Sequence, residues 1–409
     1  MIATLRLFTT VLSLAILAAG GYLLWSWAQG AWARDATGDL VRVREDWRLG
    51  TALALLAWSF LGGRVLPWLV ARRDERPLAP ERGQGRTIEG ASGSALYVES
   101  HGRTGGPPII FTHGWGMDST FWSYIRQDLA DRFHLVFWDL PGLGRSTTGR
   151  EVSLSAFAAD LATLIEVTGR RPVVLVGHSI GGMIIQTLVK ERPDLHGRIA
   201  GVVLLNTTYT NPLRTMILSR LALALQKPLL EPAMRLAIWL QPLVWLLNWQ
   251  SYLGGSTHLA LRLGFGRYVT RSQLEHVTRL AVRNPPAVQA RGDLAMLRWD
   301  ATGALGRLRA PVLVVGGDLD IVTKLEANRL IAEGAPGAEL RVVEGVNHLG
   351  PLERADAYNR LIADFALRAQ PSVTADMPRP QEGRSAEAPD TAAEPRPRGP
   401  SGPAPYARG

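Results

Sequence analysis

The sequence contains no cysteine, and its 45 basic residues include only three lysines, Lys190, Lys227 and Lys324. Without cysteine the chain forms no disulfide bond and lacks the thiolate ligands of most structural zinc sites. Its eight histidines show no metal-ligand spacing, so we expect no metal site, and no cofactor is implied. The absence of cysteine is compatible with either side of a membrane.

The net charge of +9 is carried almost entirely by arginine. It does not indicate a nucleic-acid partner, because the sequence has no ladder of alternating basic and aromatic residues. Basic residues instead cluster beside apolar segments, as in the stretch from Arg72 to Arg86. That placement suits an anionic lipid surface better.

Two long apolar segments lie in the first part of the chain. Residues 7–28 carry no charge and, as a helix, match the roughly 30 Å thickness of a bilayer core. Residues 49–70 are also apolar but include Arg64, which is near enough to the end of the segment to reach the headgroups. We predict a two-helix membrane anchor, with an interfacial or buried helix as the alternative for the second segment.

Tryptophan and arginine positions support this hairpin and predict its orientation. Trp25, Trp27 and Trp32 close the first segment and Trp47 opens the second, so all four belong to one membrane interface. Arginines are more numerous outside the pair than between its members, which places both ends of the chain in the cytoplasm, at the cell (inner) membrane. A cleaved signal peptide is the alternative, but the apolar run is longer than a signal sequence needs.

Residues 173–186 contain a nucleophile motif. A β-branched run leads into G-x-S-x-G, with Ser179 at its centre, and an apolar helical pattern follows at once. Gly177 and Gly181 remove Cβ atoms where strand and helix nearly collide, so the turn exposes the serine hydroxyl. The helix N-terminus favours developing negative charge. Ser179 is therefore the candidate nucleophile.

Candidate partners for the serine follow two later strand patterns. Residues 311–317 lead into Asp318 and Asp320, and residues 339–343 lead towards His348. In a catalytic triad, the histidine takes the proton of the serine and an aspartate orients the imidazole. Either aspartate suits that role by its position after a strand.

With these motifs in this order, residues 90–368 resemble the α/β-hydrolase family. Residues 109–116 resemble its strand and H-G-x-G loop, and residues 138–146 its D-x-P-G-x-G-x-S loop, which we interpret as structural. The resemblance implies an α/β fold with a mainly parallel eight-stranded sheet and a helical cap. It also implies that the backbone N–H groups of Trp115 and Ile180 form an oxyanion hole.

The resemblance distinguishes the two aspartates. Residues 317–324 resemble the family's G-x-x-D-x-x-T-P, which makes Asp320 the triad acid and Asp318 a loop residue. Lys324 stands where the family has proline. Relatives that open epoxides or remove halide carry aspartate at the position of Ser179 in the strand–turn–helix motif. A serine there implies acyl transfer, and ester hydrolysis by default.

Other functions remain open at this point. Carbon–carbon bond hydrolysis and cofactor-free (haloperoxidase-like) perhydrolysis use the same triad. A catalytically silent protein that binds an apolar ligand or anchors a partner is a third possibility, although such a protein has no need of all three residues. His178 and His113 are expected to pack or hydrogen-bond near the site without transferring protons.

The sequence predicts five parts with different compositions. They are an anchor at 1–72, a linker at 73–89, a core at 90–206 and 301–370, a cap at 207–300 and a disordered tail at 371–409.

The cap contains an apolar, tryptophan-rich segment at residues 234–249. It packs on the core, lines an acyl pocket or dips into the bilayer. Trp122, Trp239 and Trp245 are candidate pocket residues. The expected substrate is a small apolar ester or a lipid-like molecule.

Overall fold

The computed structural model describes residues 2–370, which are built around one eight-stranded sheet. A separate two-stranded hairpin precedes it. The strands in the described residues are β1 Ala31–Arg34, β2 Leu40–Val43, β3 Gly85–Glu89, β4 Ala95–Gly102, β5 Pro108–Thr112, β6 His134–Trp138, β7 Val173–His178, β8 Ile199–Leu205, β9 Val312–Gly317 and β10 Glu339–Val343.

The large sheet has the order β10-β9-β8-β7-β5-β6-β4-β3. Only β4 pairs antiparallel with its neighbours β3 and β6, and the other pairs are parallel. The predicted, mainly parallel eight-stranded sheet is thus confirmed. The central strands are apolar along their length because helices cover both faces of the sheet.

The helices connect these strands and precede them. Their bounds are α1 Ile2–Gln29, α2 Asp46–Val70, α3 Ser123–Leu129, α4 Leu154–Val167, α5 Ile180–Glu191, α6 Pro212–Thr215, α7 Ser219–Leu225, α8 Glu231–Trp239, α9 Gln241–Leu253, α10 Ser256–Arg262, α11 Arg271–Arg283, α12 Pro286–Met296, α13 Leu325–Glu333, α14 Gly350–Glu353 and α15 Ala355–Ala369. A π-helical turn, Gln226–Leu230, joins α7 to α8.

Side chains of the central strands alternate between two cores. Phe111 of β5 and Val176 of β7 belong to one core, while Ile110 and Leu175 belong to the other. Successive residues of a strand point to opposite faces, so each strand anchors a helix layer on either side. The parallel strands bring their carboxyl ends to a common edge of the sheet, where the functional residues of such folds gather.

One predicted boundary differs from the structure. Residues 85–89, which we predicted as linker, form the edge strand β3 and pair with β4 from Gly85 to Glu89. The backbone hydrogen bonds of β4 favour this pairing even though the G-R-T-I-E segment has a weak strand pattern. The predicted tail, 371–409, lies outside the described residues.

Helices α1 and α2 form an antiparallel pair joined by the β1–β2 hairpin. By length and composition Thr9–Gln29 and Asp46–Val70 are each sufficient to cross a membrane. The two helices approach closely at Gly20, where an added Cβ would lie 3.1 Å from the Leu56 side chain. Between β8 and β9, helices α6–α12 form the segment predicted as a cap.

Candidate active site

Ser179 lies at a sharp turn between β7 and α5. Its backbone has φ 54°, which is a strained conformation for a residue with a side chain. The turn is tight enough that a Cβ on Gly177 would lie 2.4 Å from the carbonyl carbon of Gly181. A Cβ on Gly181 would lie 2.3 Å from the carbonyl oxygen of Thr112, at the end of β5. Both positions therefore require glycine, and the turn holds the Ser179 hydroxyl at the edge of the sheet.

The structure brings Ser179, His348 and Asp320 together in one hydrogen-bonded row. The Nε2 atom of His348 lies 2.9 Å from the Ser179 Oγ, and its Nδ1 atom lies 3.1 Å from Asp320 Oδ2. All three side chains project from loops that follow parallel strands: β7, β9 and β10. The geometry suits proton transfer from the serine to Nε2 while the carboxylate holds Nδ1–H.

The Asp320 carboxylate is buried and fully bonded. Its Oδ1 accepts from the backbone N–H groups of Val322 and Thr323, both at 2.8 Å. Burial alone would raise the pKa of Asp320, but the His348 imidazole and the hydrogen bonds hold this pKa below its ordinary value. Asp320 is therefore ionised at neutral pH. Asp318, in contrast, is exposed and accepts from the backbone N–H of Val346 at 3.2 Å.

Two residues that the sequence analysis did not single out hold Asp320 in place. The Asn206 amide donates to Asp320 Oδ2 at 3.0 Å, and the Thr323 hydroxyl donates to the same oxygen at 2.8 Å. Asn206 follows β8 with φ 45°, and Tyr358 donates to its side-chain oxygen at 2.7 Å. The available signal was an asparagine directly after a buried strand at the edge where the candidate triad lies.

His178 and His113 support the backbone around the site. The Nε2–H of His178 donates to the His348 carbonyl at 2.9 Å, and its ring stacks on Phe121. Burial, with a further contribution from the nearby His348, lowers the pKa of His178 to about 3, so the ring is neutral. His113 donates from Nδ1 to the Gly114 carbonyl and accepts from the Leu140 backbone N–H.

The H-G-x-G loop lies against the serine turn. A Cβ on Gly114 would lie 2.6 Å from the His178 Nδ1 and 3.5 Å from the Ser179 Cβ. Trp115, the next residue, has its indole N–H bonded to the Gln289 carbonyl of α12 at 3.1 Å. Ile180 is the first residue of α5. The backbone N–H groups of Trp115 and Ile180 thus belong to the two segments that flank the Ser179 hydroxyl.

A cavity of about 210 Å³ opens beside Ser179 and His348. Its lining is mostly apolar. It includes all five methionines of the described residues: Met117, Met183, Met216, Met234 and Met296. Methionine is flexible and polarizable, so such a lining adapts to apolar groups of different shapes. Among the described residues, no cluster of His, Asp and Glu is arranged to hold a metal ion.

The three tryptophans proposed for the pocket do not line this cavity. Trp122 is 1% exposed and packs in the core, with its ring 5.3 Å from that of Phe111. Trp239 and Trp245 lie on the outside of the cap, 79% and 46% exposed. The reason is that α8 presents Met234 to the cavity, while Trp239 of α8 and Trp245 of α9 point outward.

Comparison with known proteins agrees with this architecture. The signature of the alpha/beta hydrolase family matches residues 109–361, more than half of the 409 residues. The chain therefore belongs to the alpha/beta hydrolase family.

Named relatives are similar over about the same share of the chain. An uncharacterized protein of Mycobacterium tuberculosis (strain ATCC 25618 / H37Rv) is 28% identical over 292 residues, which cover 68% of this chain and 78% of that protein. The pimeloyl-acyl-carrier-protein methyl ester esterase of Sodalis glossinidius is 26% identical, covering 66% of this chain and 98% of the esterase.

A solved structure shows the same fold. Est816, described as an enzyme that degrades N-acyl homoserine lactones, superposes with a TM-score of 0.54 at 26% identity. The match covers 68% of this chain and all of that protein (100%). Esterases and other hydrolases thus recur among the proteins that this chain is similar to, and the chain is a hydrolase of this fold.

Proposed function

We propose that the protein is a membrane-anchored serine hydrolase that cleaves an apolar carboxylic ester through an acyl-enzyme. The observation that carries this proposal is the row from Ser179 through His348 to Asp320, next to an apolar cavity. A serine that only formed a tight turn would not require an imidazole nitrogen at 2.9 Å from its hydroxyl and a buried, ionised carboxylate behind that imidazole.

In the proposed reaction, His348 removes the proton of Ser179 as its Oγ attacks the ester carbonyl. The backbone N–H groups of Trp115 and Ile180 stabilise the oxyanion of the tetrahedral intermediate, together with the N-terminus of α5. His348 then gives its proton to the leaving alcohol, and an acyl group remains on Ser179. Water, activated by the same histidine, hydrolyses this acyl-enzyme, and Asp320 stabilises the imidazolium in both steps.

The cavity favours a substrate with one apolar group of modest size. Its volume of about 210 Å³ is below the roughly 300–1,000 Å³ of drug-sized sites. The adaptable methionine lining suits an acyl chain more than a rigid polar group. A small apolar or lipid-like ester fits these properties.

The anchor is also part of the proposal. Helices α1 and α2 are 28 and 25 residues long, enough to cross a bilayer core of roughly 30 Å. Where they join, Arg42 lies over the Trp32 ring at 4.9 Å and Arg44 over the Trp27 ring at 5.1 Å. Arginine and tryptophan together are typical of a membrane interface. The Arg distribution favours the inner membrane, with the catalytic part in the cytoplasm.

The proposed nucleophile is tested by replacing Ser179 with alanine. We expect loss of fluorophosphonate labelling and of ester turnover by about a millionfold, while the fold is retained because only one hydroxyl is removed. Ser155→Ala, at an exposed serine, serves as the control and should keep both. Labelling that persists in Ser179→Ala would remove Ser179 from this role. Labelling without turnover of any ester in a panel of chain lengths would favour another acyl-transfer reaction of the same triad.

A further inference from the structure

The cap, helices α6–α12, packs closely against the α1–α2 pair. The contacts lie in the C-terminal half of α2 and the N-terminal half of α1. A Cβ on Gly63 would lie 2.3 Å from the Tyr252 carbonyl oxygen, and one on Gly62 would lie 2.6 Å from the Gly254 oxygen. The Ser13 hydroxyl of α1 donates to the side-chain oxygen of Gln250 in α9. Small residues and shared hydrogen bonds of this kind are typical of helices that associate inside a membrane.

The position of these contacts along the helices sets the depth of the cap. If Trp47 marks one interface, Gly63 lies about 24 Å further along α2, and Trp68 about 31 Å. A bilayer core of roughly 30 Å therefore ends close to Trp68, and Gly63 lies several ångströms inside it. Because the end of α9 touches Gly63, that part of the cap lies at the same depth.

Charged residues lie beside Trp68, at the level where the lipid headgroups are expected. Four arginines, Arg64, Arg73, Arg271 and Arg279, line one cleft with Trp68. The Arg271 guanidinium lies 3.9 Å from the Trp68 ring centroid, and Arg279 is paired with Glu275 at 2.9 Å. The same cleft contains Asp74 and Glu275, which are already bonded within the protein. Asp74 accepts from the Ser272 backbone N–H at 3.0 Å, and Glu275 accepts from the Tyr252 hydroxyl at 2.6 Å. The other three guanidinium groups, beside a tryptophan, suit anionic lipid headgroups.

The outer face of the cap has the composition that this depth requires. Residues 236–253 carry no charge. Within the part of the chain that the structure describes, neither α7 nor α8 has a buried residue, although both contain large apolar side chains. Large apolar side chains are exposed along α7–α9 at 46–79%: Leu218, Leu221, Leu236, Trp239, Trp245 and Leu246. Apolar surface of this kind marks an interaction site.

We infer that the uncharged part of this face, residues 236–253, lies in the leaflet nearest the catalytic part, so that the ester enters the cavity from the bilayer. The inference rests on the anchor in the proposed function, because the anchor sets the depth. The cavity reaches α8, where this part of the cap begins: Met234 lines the cavity and shares α8 with the exposed Trp239. A membrane-dissolved ester would therefore cross one helix layer and no water.

The absence of cysteine allows a direct test, since single cysteines can be introduced without background. Leu236→Cys and Leu246→Cys carry a nitroxide label on the full-length protein in vesicles of phosphatidylcholine with a minor fraction of phosphatidylglycerol. Leu53→Cys on α2 is the lipid control, and Glu166→Cys on the exposed side of α4 is the water control. We expect the ratio of oxygen to nickel-complex accessibility at positions 236 and 246 to match position 53.

The outcomes separate the two proposals. Lipid exposure at position 53 with water exposure at positions 236 and 246 would overturn the inference and leave the anchor standing. Water exposure at all four positions would overturn the anchor, and the inference with it.

Delivery of the substrate from the bilayer is tested by measuring ester turnover in a variant with a charge on this face. Leu246→Glu should lower turnover of a long-chain ester dissolved in the same vesicles by about tenfold or more, because a carboxylate is expensive to place in lipid. Turnover of a short, water-soluble ester should be unchanged. Leu330→Glu, at a leucine of α13 that is 50% exposed, is the matched control and should alter neither. Equal activity of Leu246→Glu and the unmodified protein on vesicle-borne ester would overturn entry from the bilayer.

Discussion

Asp320 and Asp318 are two residues apart and have very different surroundings. Asp320 is buried, with its oxygens bonded to His348, Asn206 and Thr323, whereas Asp318 is exposed. Asp320→Asn should lower kcat by about ten-thousandfold, because an amide no longer holds the productive tautomer of the histidine. Asp318→Asn is the matched control and should cost little. Steady-state kinetics on one ester would check this, and a larger loss in Asp318→Asn would reassign the acid.

The lowered pKa of His178 predicts that the free energy of unfolding depends on pH. In the folded protein the pKa of His178 is about 3, because the ring is buried and close to His348. In the unfolded chain its pKa is 6.5. Between these values the unfolded state binds more protons, so the stability contribution of a neutral His178 is complete above pH 6.5 and declines as the pH falls. From pH 7.5 to 5 the loss is about 2 kcal/mol.

The test compares the unmodified protein with His178→Gln, whose amide can still donate to the His348 carbonyl. Urea unfolding in mild detergent, at pH values from 5 to 7.5, gives the free energy of unfolding for each. The variant should lose less stability on acidification, by about 2 kcal/mol over this range. Identical pH dependence in the two proteins would contradict a strongly lowered pKa for His178.

At the residue scale, the sequence predicted the geometry of the candidate site best where a motif fixes it. Ser179, Asp320 and His348 were each identified from a few neighbouring residues, and the structure places them within hydrogen-bond distance. Asn206 was missed because its role depends on three segments that are distant in the chain: β8, the Asp320 loop and Tyr358 of α15. No local pattern carries that information.

At the scale of elements, the apolar strands were predictable, whereas the β1–β2 hairpin and the edge strand β3 were not. The parallel strands β5, β7, β8 and β9 are continuous apolar runs because both faces are buried. The hairpin of β1 and β2 and the edge strand β3 are short, mostly exposed and held by pairing with a neighbouring strand. Their formation depends on tertiary contacts that composition does not encode.

The cap shows the same limit and leads to a revised prediction. Its tryptophans were expected at the pocket because they are large and apolar, but the helices turn them outward and place methionines inside. We expect Met234→Trp to fill part of the 210 Å³ cavity and to lower kcat/KM for long esters selectively. Each buried methylene that is lost removes about 0.8 kcal/mol, or roughly fourfold in binding.

The control for this prediction is Trp245→Ala, on the outer face of the same cap. It should leave the dependence on ester chain length unchanged when the esters are soluble and the protein is in detergent. The measurement is a series of kcat/KM values over increasing acyl length. A flat series in the unmodified protein, or a shift in Trp245→Ala instead of Met234→Trp, would show that the cavity does not receive the acyl chain.

For the whole molecule, the proposed membrane anchor determines how the protein is extracted. Buried spanning helices satisfy their own backbone hydrogen bonds and are not held by ionic contacts. The full-length protein should therefore remain in the membrane fraction after a high-pH carbonate wash. Deleting residues 1–70 does not provide a simple control, because α2 also packs against the cap through Gly62 and Gly63. Release of the intact protein by carbonate would remove the anchor from the proposal.

Orientation requires a separate measurement with two matched fusions. The loop between α1 and α2 carries fewer arginines than the outer flanks, so both ends of the chain should face the cytoplasm. Alkaline phosphatase, which is active only outside the cytoplasm, should be inactive when fused after Gly409. Inserted at Gly38, in the exposed β1–β2 turn, it should be active. The reverse pattern would place the catalytic part outside the cell membrane, and activity at neither position would mean that the hairpin does not cross.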